Sequence, residues 1–288
     1  MTCIQIQIVA WVESGSDKSD CMRQRFIIVY VPCNDFGNDA GKANIHPPYH
    51  RAKTLQGKRL NCNRLAVNRE NARRIDQIAM DQYRIPSILL MENAGRGSAE
   101  TIHDLYPSGG ISILCGSGNN AGDGYVIARH LQTFGREVQI ISLVDRDRLI
   151  GDAKTNSDIA HASCIPIVFA QNREETASFL SNTKIIVDAM LGTGSRGAPR
   201  IKIADAIRAS NETSAARIAI DLPSGLDCDT GLASDPTFQA DHTLTFVAEK
   251  IGFKKNNADG YTGAVSIIDI GVPQKLLNDF FVSGNSWG

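Results

Sequence analysis

From about residue 65 onward, apolar strand-like runs alternate steadily with helix-patterned segments, and this alternation most constrains the fold. The spacing of Ala72, Ile75, Ile78 and Ala79 predicts a helix from Asn68, stopped at Ile85-Pro86, and a second helix over 89–105. Strands are predicted over 111–115, 138–144, 165–169, 185–189, 218–220, 242–246 and 264–268. Helices over 122–134, 151–161, 173–180 and 203–209 separate them. Strands joined through helices run parallel, because a hairpin cannot make that connection, and the sheet is then buried on both faces. The expected class is therefore α/β: a three-layer, Rossmann-like, mainly parallel sheet with helices on both faces.

The first 65 residues read differently. Segments 4–11 and 25–32 could form strands, but Asn34-Asp35-Phe36-Gly37-Asn38 and His46-Pro47-Pro48 interrupt the pattern. Residues 1–65 are expected to be a poorly ordered N-terminal extension, for which an over-extended reading frame is one account. Residues 66–288 form the expected functional domain. Seven cysteines, four of them in the extension, include no CxxC pair or zinc-type spacing, so reduced thiols are expected. Cys115 and Cys164 lie in apolar segments and read as small buried hydrophobes.

Composition narrows the partners. With 42% hydrophobic residues and 21% charged, the chain is neither collagen-like nor mostly disordered. A net charge of -1 gives no field to gather nucleic acid, so phosphate binding requires a local site. No apolar run approaches the roughly 20 residues of a membrane span, and the N-terminus lacks a basic signal-peptide start. A cytoplasmic protein is expected.

Chemistry in such a sheet belongs at the carboxyl ends of the strands, and three segments follow strands there. The first, from Gly116 to Gly124, fits the G-x-G-x-x-A form of a dinucleotide turn, with Asp145 beyond the next strand. Such a turn also serves any tight strand-to-helix connection. Asn119, Asn120 and Asp123 add directed donors and acceptors that a plain turn does not need. The second places Asp188 at a strand end before Gly192-Thr193-Gly194-Ser195-Arg196-Gly197, whose backbone N–H groups can form a phosphate nest. The third sets Asp221 before Pro223 and Ser224. Pro-Ser-Gly is not a nucleophile elbow and no histidine lies in the three segments, which argues against a serine hydrolase.

Together with Arg74-Ile75-Asp76, Leu90-Met91-Glu92-Asn93-Ala94-Gly95 and Ala240-Asp241-His242-Thr243-Leu244-Thr245-Phe246, these segments resemble the NAD(P)H-hydrate epimerase family, or YjeF N-terminal domain family. The resemblance covers roughly residues 66 to 275. It implies interconversion of the R and S epimers of hydrated NADH and NADPH, feeding a separate dehydratase, for which the chain has no room after residue 275. Under it, Asn119, Asn120, Ala121, Gly122, Asp123, Gly192, Thr193, Gly194, Ser195, Arg196, Gly197, Ala198 and Asp221 bind substrate. Asn120, Asp188 and Ser224 ligate potassium. Their oxygens are hard donors with a single carboxylate, which suits a monovalent cation. Asp188 is the expected acid–base group, and its Asn variant is expected to keep the fold and lose activity. Ala121 stands where the family usually has Gly. An NAD-linked dehydrogenase using Asp145, or a non-catalytic module of the same fold, are the alternatives; a homodimer is the assembly considered beside a monomer.

Overall fold

The computed structural model describes residues 4–11, 25–32 and 66–282, and the chain divides into two compact units, Met1–Gly57 and Lys58–Gly288. In the first unit β1 (Ile4–Trp11) and β2 (Arg25–Pro32) form an antiparallel ladder, with Ile4 opposite Pro32 and Trp11 opposite Arg25. Both strands coincide with the segments expected from sequence. The order expected for the rest of the extension, and Cys3, Cys21, Cys33 and Cys62, lie outside the described residues.

The second unit opens with the two-residue strand β3 (Ala66–Val67) and α1 (Arg69–Asp81). Asn68 caps α1, its Oδ1 accepting the Asn71 N–H at 2.7 Å. After α2 (Ser87–Leu105) come β4 (Ile111–Cys115), α3 (Asn119–Thr133), β5 (Val138–Ser142) and α4 (Gly151–Ala162). Then follow β6 (Ile167–Phe169), α5 (Arg173–Leu180), β7 (Ile185–Ala189), α6 (Ile201–Asn211) and β8 (Ala216–Ile220). The unit ends with β9 (His242–Phe246), β10 (Glu249–Lys250), a short helix α7 (Asp259–Thr262), β11 (Ala264–Ile268) and α8 (Gln274–Val282).

Seven strands form one sheet in the order β11-β9-β8-β7-β4-β5-β6, and every pairing in it is parallel. Alternate side chains point to opposite faces, which divides the core. Ile113, Ile140, Val187 and Ile218 pack with α2, α3 and α4, whereas Leu114, Ile141, Ile186 and Ala219 pack towards α5 and α6. α2 and α3 approach so closely that a Cβ on Gly95 would fall 2.4 Å from the Val126 Cβ. A third apolar cluster joins α1 and α8 through Ile75, Leu276 and Phe280, next to Val67 of β3, which pairs with β10.

One cysteine departs from expectation. Cys115 is buried, but Cys164 is exposed at φ +54°, on the turn after α4 rather than in the strand. The apolar run there begins one residue later, with the buried Ile165.

Candidate active site

β4, β5 and β6 extend the sheet in one direction, while β7, β8 and β9 extend it in the other. The order reverses between β4 and β7, and a crevice opens at such a point beyond the strand ends. The three segments expected to carry chemistry follow β4, β7 and β8, the strands that flank this reversal or lie next to it.

The first segment is less of a loop than its sequence suggests. α3 begins at Asn119, so Asn119 to Asp123 occupy its first turns, with Asn119 exposed and Asn120 and Asp123 buried. Gly122 and Gly124 lower helix propensity, yet both are needed where they are: a Cβ on Gly122 would meet Met91 of α2 at 2.5 Å, and one on Gly124 would meet Ala189 of β7 at 2.8 Å. Close packing outweighs propensity here.

Leu191 ties the other segments to this helix. Its carbonyl accepts the Asn120 Nδ2–H at 2.9 Å, and its N–H donates to Ser224 Oγ at 3.0 Å. Ser224 in turn donates its hydroxyl to Asp188 Oδ1 at 2.7 Å and its N–H to Asp188 Oδ2 at 2.7 Å; the Met190 N–H reaches Oδ1 at 3.1 Å. Gly225 at φ +98° turns the chain so that Ser224 faces inward, and a Cβ there would strike the Pro236 carbonyl at 2.6 Å. Asn120, Asp188 and Ser224 are thus brought together. Asp188 is fully enclosed, and burial raises its carboxyl from 3.8 to about 6 against the lowering effect of its three donors. Asn120 Oδ1 is buried without a hydrogen-bond partner. A buried carbonyl oxygen left without a donor is a costly arrangement unless something positive sits against it.

Asp221 lies at φ +67°, a left-handed conformation that Asp tolerates better than most residues, and such outliers concentrate at functional sites. Its Oδ2 accepts the Thr193 N–H at 3.1 Å, and its Oδ1 pairs with Lys250 Nζ at 2.9 Å. Lys250 side-chain exposure is only 2%, and its ammonium also donates to the Phe246 carbonyl at 3.2 Å. Two further carboxyls share this field. Burial, then the Asp221 charge, raise Asp76 of α1 from 3.8 to about 6, while Lys250 opposes them. Burial, Asp221 and Asp76 together hold Asp123 well above the usual carboxylate range. Carboxyls pushed towards neutrality in a crevice are suited to carrying protons near neutral pH.

No sequence motif marks a role for Asp76 or Lys250, although Asp76 stands in Arg74-Ile75-Asp76; an acid between the helix positions of Ile75 and Ala79 is the available signal. Arg69 is equally unmarked. That side chain is nearly sealed, donates to the Ser195 carbonyl, and pairs with Asp227 at 2.9 Å and Asp229 at 3.5 Å. One cation on α1 therefore pins the segments after β7 and β8 to each other. Gly194, Arg196, Gly197 and Ala198 remain exposed, and a cavity of about 810 Å³ extends from Ser117 past Arg196 to Arg200 and Lys202.

The model of the family described as YjeF-related protein N-terminus matches residues 87–252. The chain belongs to that family. A relative in Rhodopirellula baltica bearing the name NAD(P)H-hydrate epimerase is 49% identical over 74% of this chain and 87% of its own length. A protein of the same name in Pirellula staleyi is 39% identical over 74% of this chain and 95% of its own. The Moorella thermoacetica protein named bifunctional NAD(P)H-hydrate repair enzyme is 38% identical, and the match covers 40% of it. This member of the YjeF-related family therefore spans nearly the full length of the epimerases and about two fifths of the bifunctional enzyme. The crystal structure of yeast ynu0 superposes with a TM-score of 0.65 over 75% of this chain and 93% of that one, at 22% identity, and so shares the fold.

Proposed function

We propose that the protein is an NAD(P)H-hydrate epimerase, interconverting the R and S forms of hydrated NADH and NADPH as an isomerase of nicotinamide nucleotide repair. The observation that carries this reading is the convergence, at the sheet's reversal point, of Asn120, Asp188, Asp221 and Ser224 with carboxyls raised towards neutrality. The hydrated carbon of the substrate bears a hydroxyl beside a ring nitrogen. Protonation of that hydroxyl lets the nitrogen lone pair expel water and leaves a planar iminium; water then adds to either face and returns the proton. The reaction needs a proton held and recovered at one place, and it needs no redox partner.

The sequence-based choice for that proton is Asp188. Both its oxygens already accept protein hydrogen bonds and the residue has no exposed surface, so its proposed part is to fasten Ser224 and Met190 and to face a cation. The proton is assigned instead to Asp123, which retains some access and lies in the field of Asp221 and Asp76. A potassium ion fits Asn120, Asp188 and Ser224: the unpartnered Asn120 Oδ1 supplies a neutral oxygen, and Asp188 supplies the charge. Bound there, it would neutralise the enclosed carboxylate and hold the crevice in one shape. Asn119 to Asp123, Gly192 to Ala198 and Asp221 are proposed to contact substrate, and the product is proposed to feed a dehydratase.

Chiral separation of hydrated NADH epimers with and without the protein tests the reading. Accelerated approach to the equilibrium mixture is expected, with no change in nicotinamide redox state. An unchanged epimerisation rate would remove the proposal, and hydride transfer to or from NAD would favour a dehydrogenase.

A further inference from the structure

The 810 Å³ cavity beside the reversal point carries a charge pattern that the epimerisation chemistry does not use. Arg148, Arg196, Arg200 and Lys202 all line it, against a single acid, Asp145. Arg200 occupies the N-cap of α6 without a side-chain cap bond, Lys202 stands in its first turn, and that turn holds no acid. Cations at the positive end of a helix dipole are unfavourable, and most helices place acids or a capping oxygen there. Among the described residues, neither Arg196 nor Arg200 makes an ion pair. Arg148 faces Asp145 at 3.8 Å, but both are largely exposed and so weakly coupled. The Lys202 ammonium lies 4.7 Å over the Phe169 ring and donates to Gln171 Oε1 at 3.3 Å, neither of them an anion, so its charge is not neutralised. Ile201, 80% exposed at the cavity edge, offers an apolar surface of the kind a purine covers.

From this arrangement, and resting on the epimerase reading, we infer that the cavity binds the adenosine half of the substrate and recognises a 2′-phosphate on its ribose, so that hydrated NADPH is preferred over hydrated NADH. A dinucleotide diphosphate carries two negative charges, and the 2′-phosphate adds about -1.5 to -2 at neutral pH by analogy with other phosphomonoesters. Four cations against one acid match the phosphorylated form. In dinucleotide sites an acid in the position of Asp145 binds the free 2′-hydroxyl, whereas a nearby Arg accommodates the 2′-phosphate, and here cations outnumber the acid.

The test measures kcat/KM for both hydrated nucleotides with the full chain. A ratio of at least about tenfold in favour of hydrated NADPH is expected, the equivalent of one charge-assisted hydrogen bond. In the double variant Arg200→Gln/Lys202→Gln that ratio falls towards one, with folding checked by circular dichroism. In parallel, adenosine 2′,5′-bisphosphate and ADP, which differ in where the second phosphate sits, are titrated against the unaltered protein by calorimetry. Tighter binding of the 2′,5′ compound is expected, and this arm stands even if the double variant fails to fold. Brisk epimerisation at equal kcat/KM overturns the inference and leaves the epimerase reading in place. Absence of epimerisation with both substrates removes that reading, and the calorimetric comparison then decides whether the cavity recognises a 2′-phosphate.

Discussion

Asp76→Asn should stabilise the protein at neutral pH while impairing it as an enzyme. Burial is the main cause of the elevated Asp76 carboxyl, the Asp221 charge adds to it and Lys250 partly offsets both, which places the group at about 6 instead of 3.8. At about 1.4 kcal/mol per pH unit, carrying the charge costs the folded state roughly 3 kcal/mol once the group is ionised. The sign follows from proton counting: between 3.8 and about 6 the folded state holds a proton that the unfolded state has released, so stability falls as pH rises through that window. Below it both states are protonated and nothing is lost. An Asn carries no charge and escapes the penalty, and Asp123 gains as well because Asp76 is among the charges that elevate it. The variant should therefore gain about 2–3 kcal/mol at pH 7, or roughly 5–10 °C in Tm, and converge with the parent near pH 4. Thermal melts in steps from pH 4 to pH 8 measure the difference directly. A gain that is constant across that range, or a loss at pH 7, would refute the electrostatic account of this cluster. Epimerisation by the same variant should show an altered acid limb in its pH–rate profile, since Asp123 then titrates in a weaker field.

Titrating potassium chloride against choline chloride at fixed ionic strength should raise the Tm saturably, by the linkage expected of an ion that binds only the folded state. Ser224→Ala deletes the hydroxyl that joins Asp188 to the Leu191 N–H; it should cost about 1–3 kcal/mol in denaturant unfolding and flatten the potassium response. Arg69→Gln frees Ser195, Asp227 and Asp229 from one another, so KM should rise about tenfold or more with a smaller change in kcat, measured by steady-state epimerisation. Deleting residues 1–65 should leave both Tm and kcat/KM near those of the whole chain; a Tm fall above about 5 °C would move the domain boundary.

Much of the fold is legible in the sequence because its elements are long enough to display a period. The apolar face of α1, with Ile75 and Ala79 buried, and the apolar run Ile185-Ile186-Val187 that opens β7 state their type locally. β3 and β10 do not, since two residues have no period; only their mutual pairing makes them strands. The start of α3 is misplaced by three residues because Asn119, Asn120 and Ala121 directly follow the Gly116-x-Gly118 turn and read as its continuation, whereas the first helical turn begins with them. In the site, residues next to strand ends are readable from position, as Asp188 and Asp221 are. Their partners are not. Lys250 reaches Asp221 because β10 pairs with β3, and Asp76 enters the same field from α1, separations that spacing along a chain does not encode. Enclosure is equally invisible: Asp188 reads only as an acid at a strand end, and the donors that close over it come from Ser224, 36 residues further along the chain.

The same distinction bears on the dehydrogenase alternative suggested by Gly116-x-Gly118-x-x-Ala121. In a dinucleotide fingerprint the glycines clear space for the pyrophosphate and for close helix packing. Here a Cβ on Gly116 would meet the Met190 carbonyl at 2.2 Å, so that glycine admits the segment after β7, and Gly122 admits Met91. Gly118 alone faces open space. The α3 N-terminus is therefore bordered by the β7 segment and tied to it through Asn120. Phosphate-directed charge appears instead at Arg196, Arg200 and Lys202, beyond β7. The 191–197 segment, which Arg69 and Asp221 both anchor, borders both the cavity these cations line and the Asp221–Lys250 pair, so a change that loosens it should disturb binding and chemistry together.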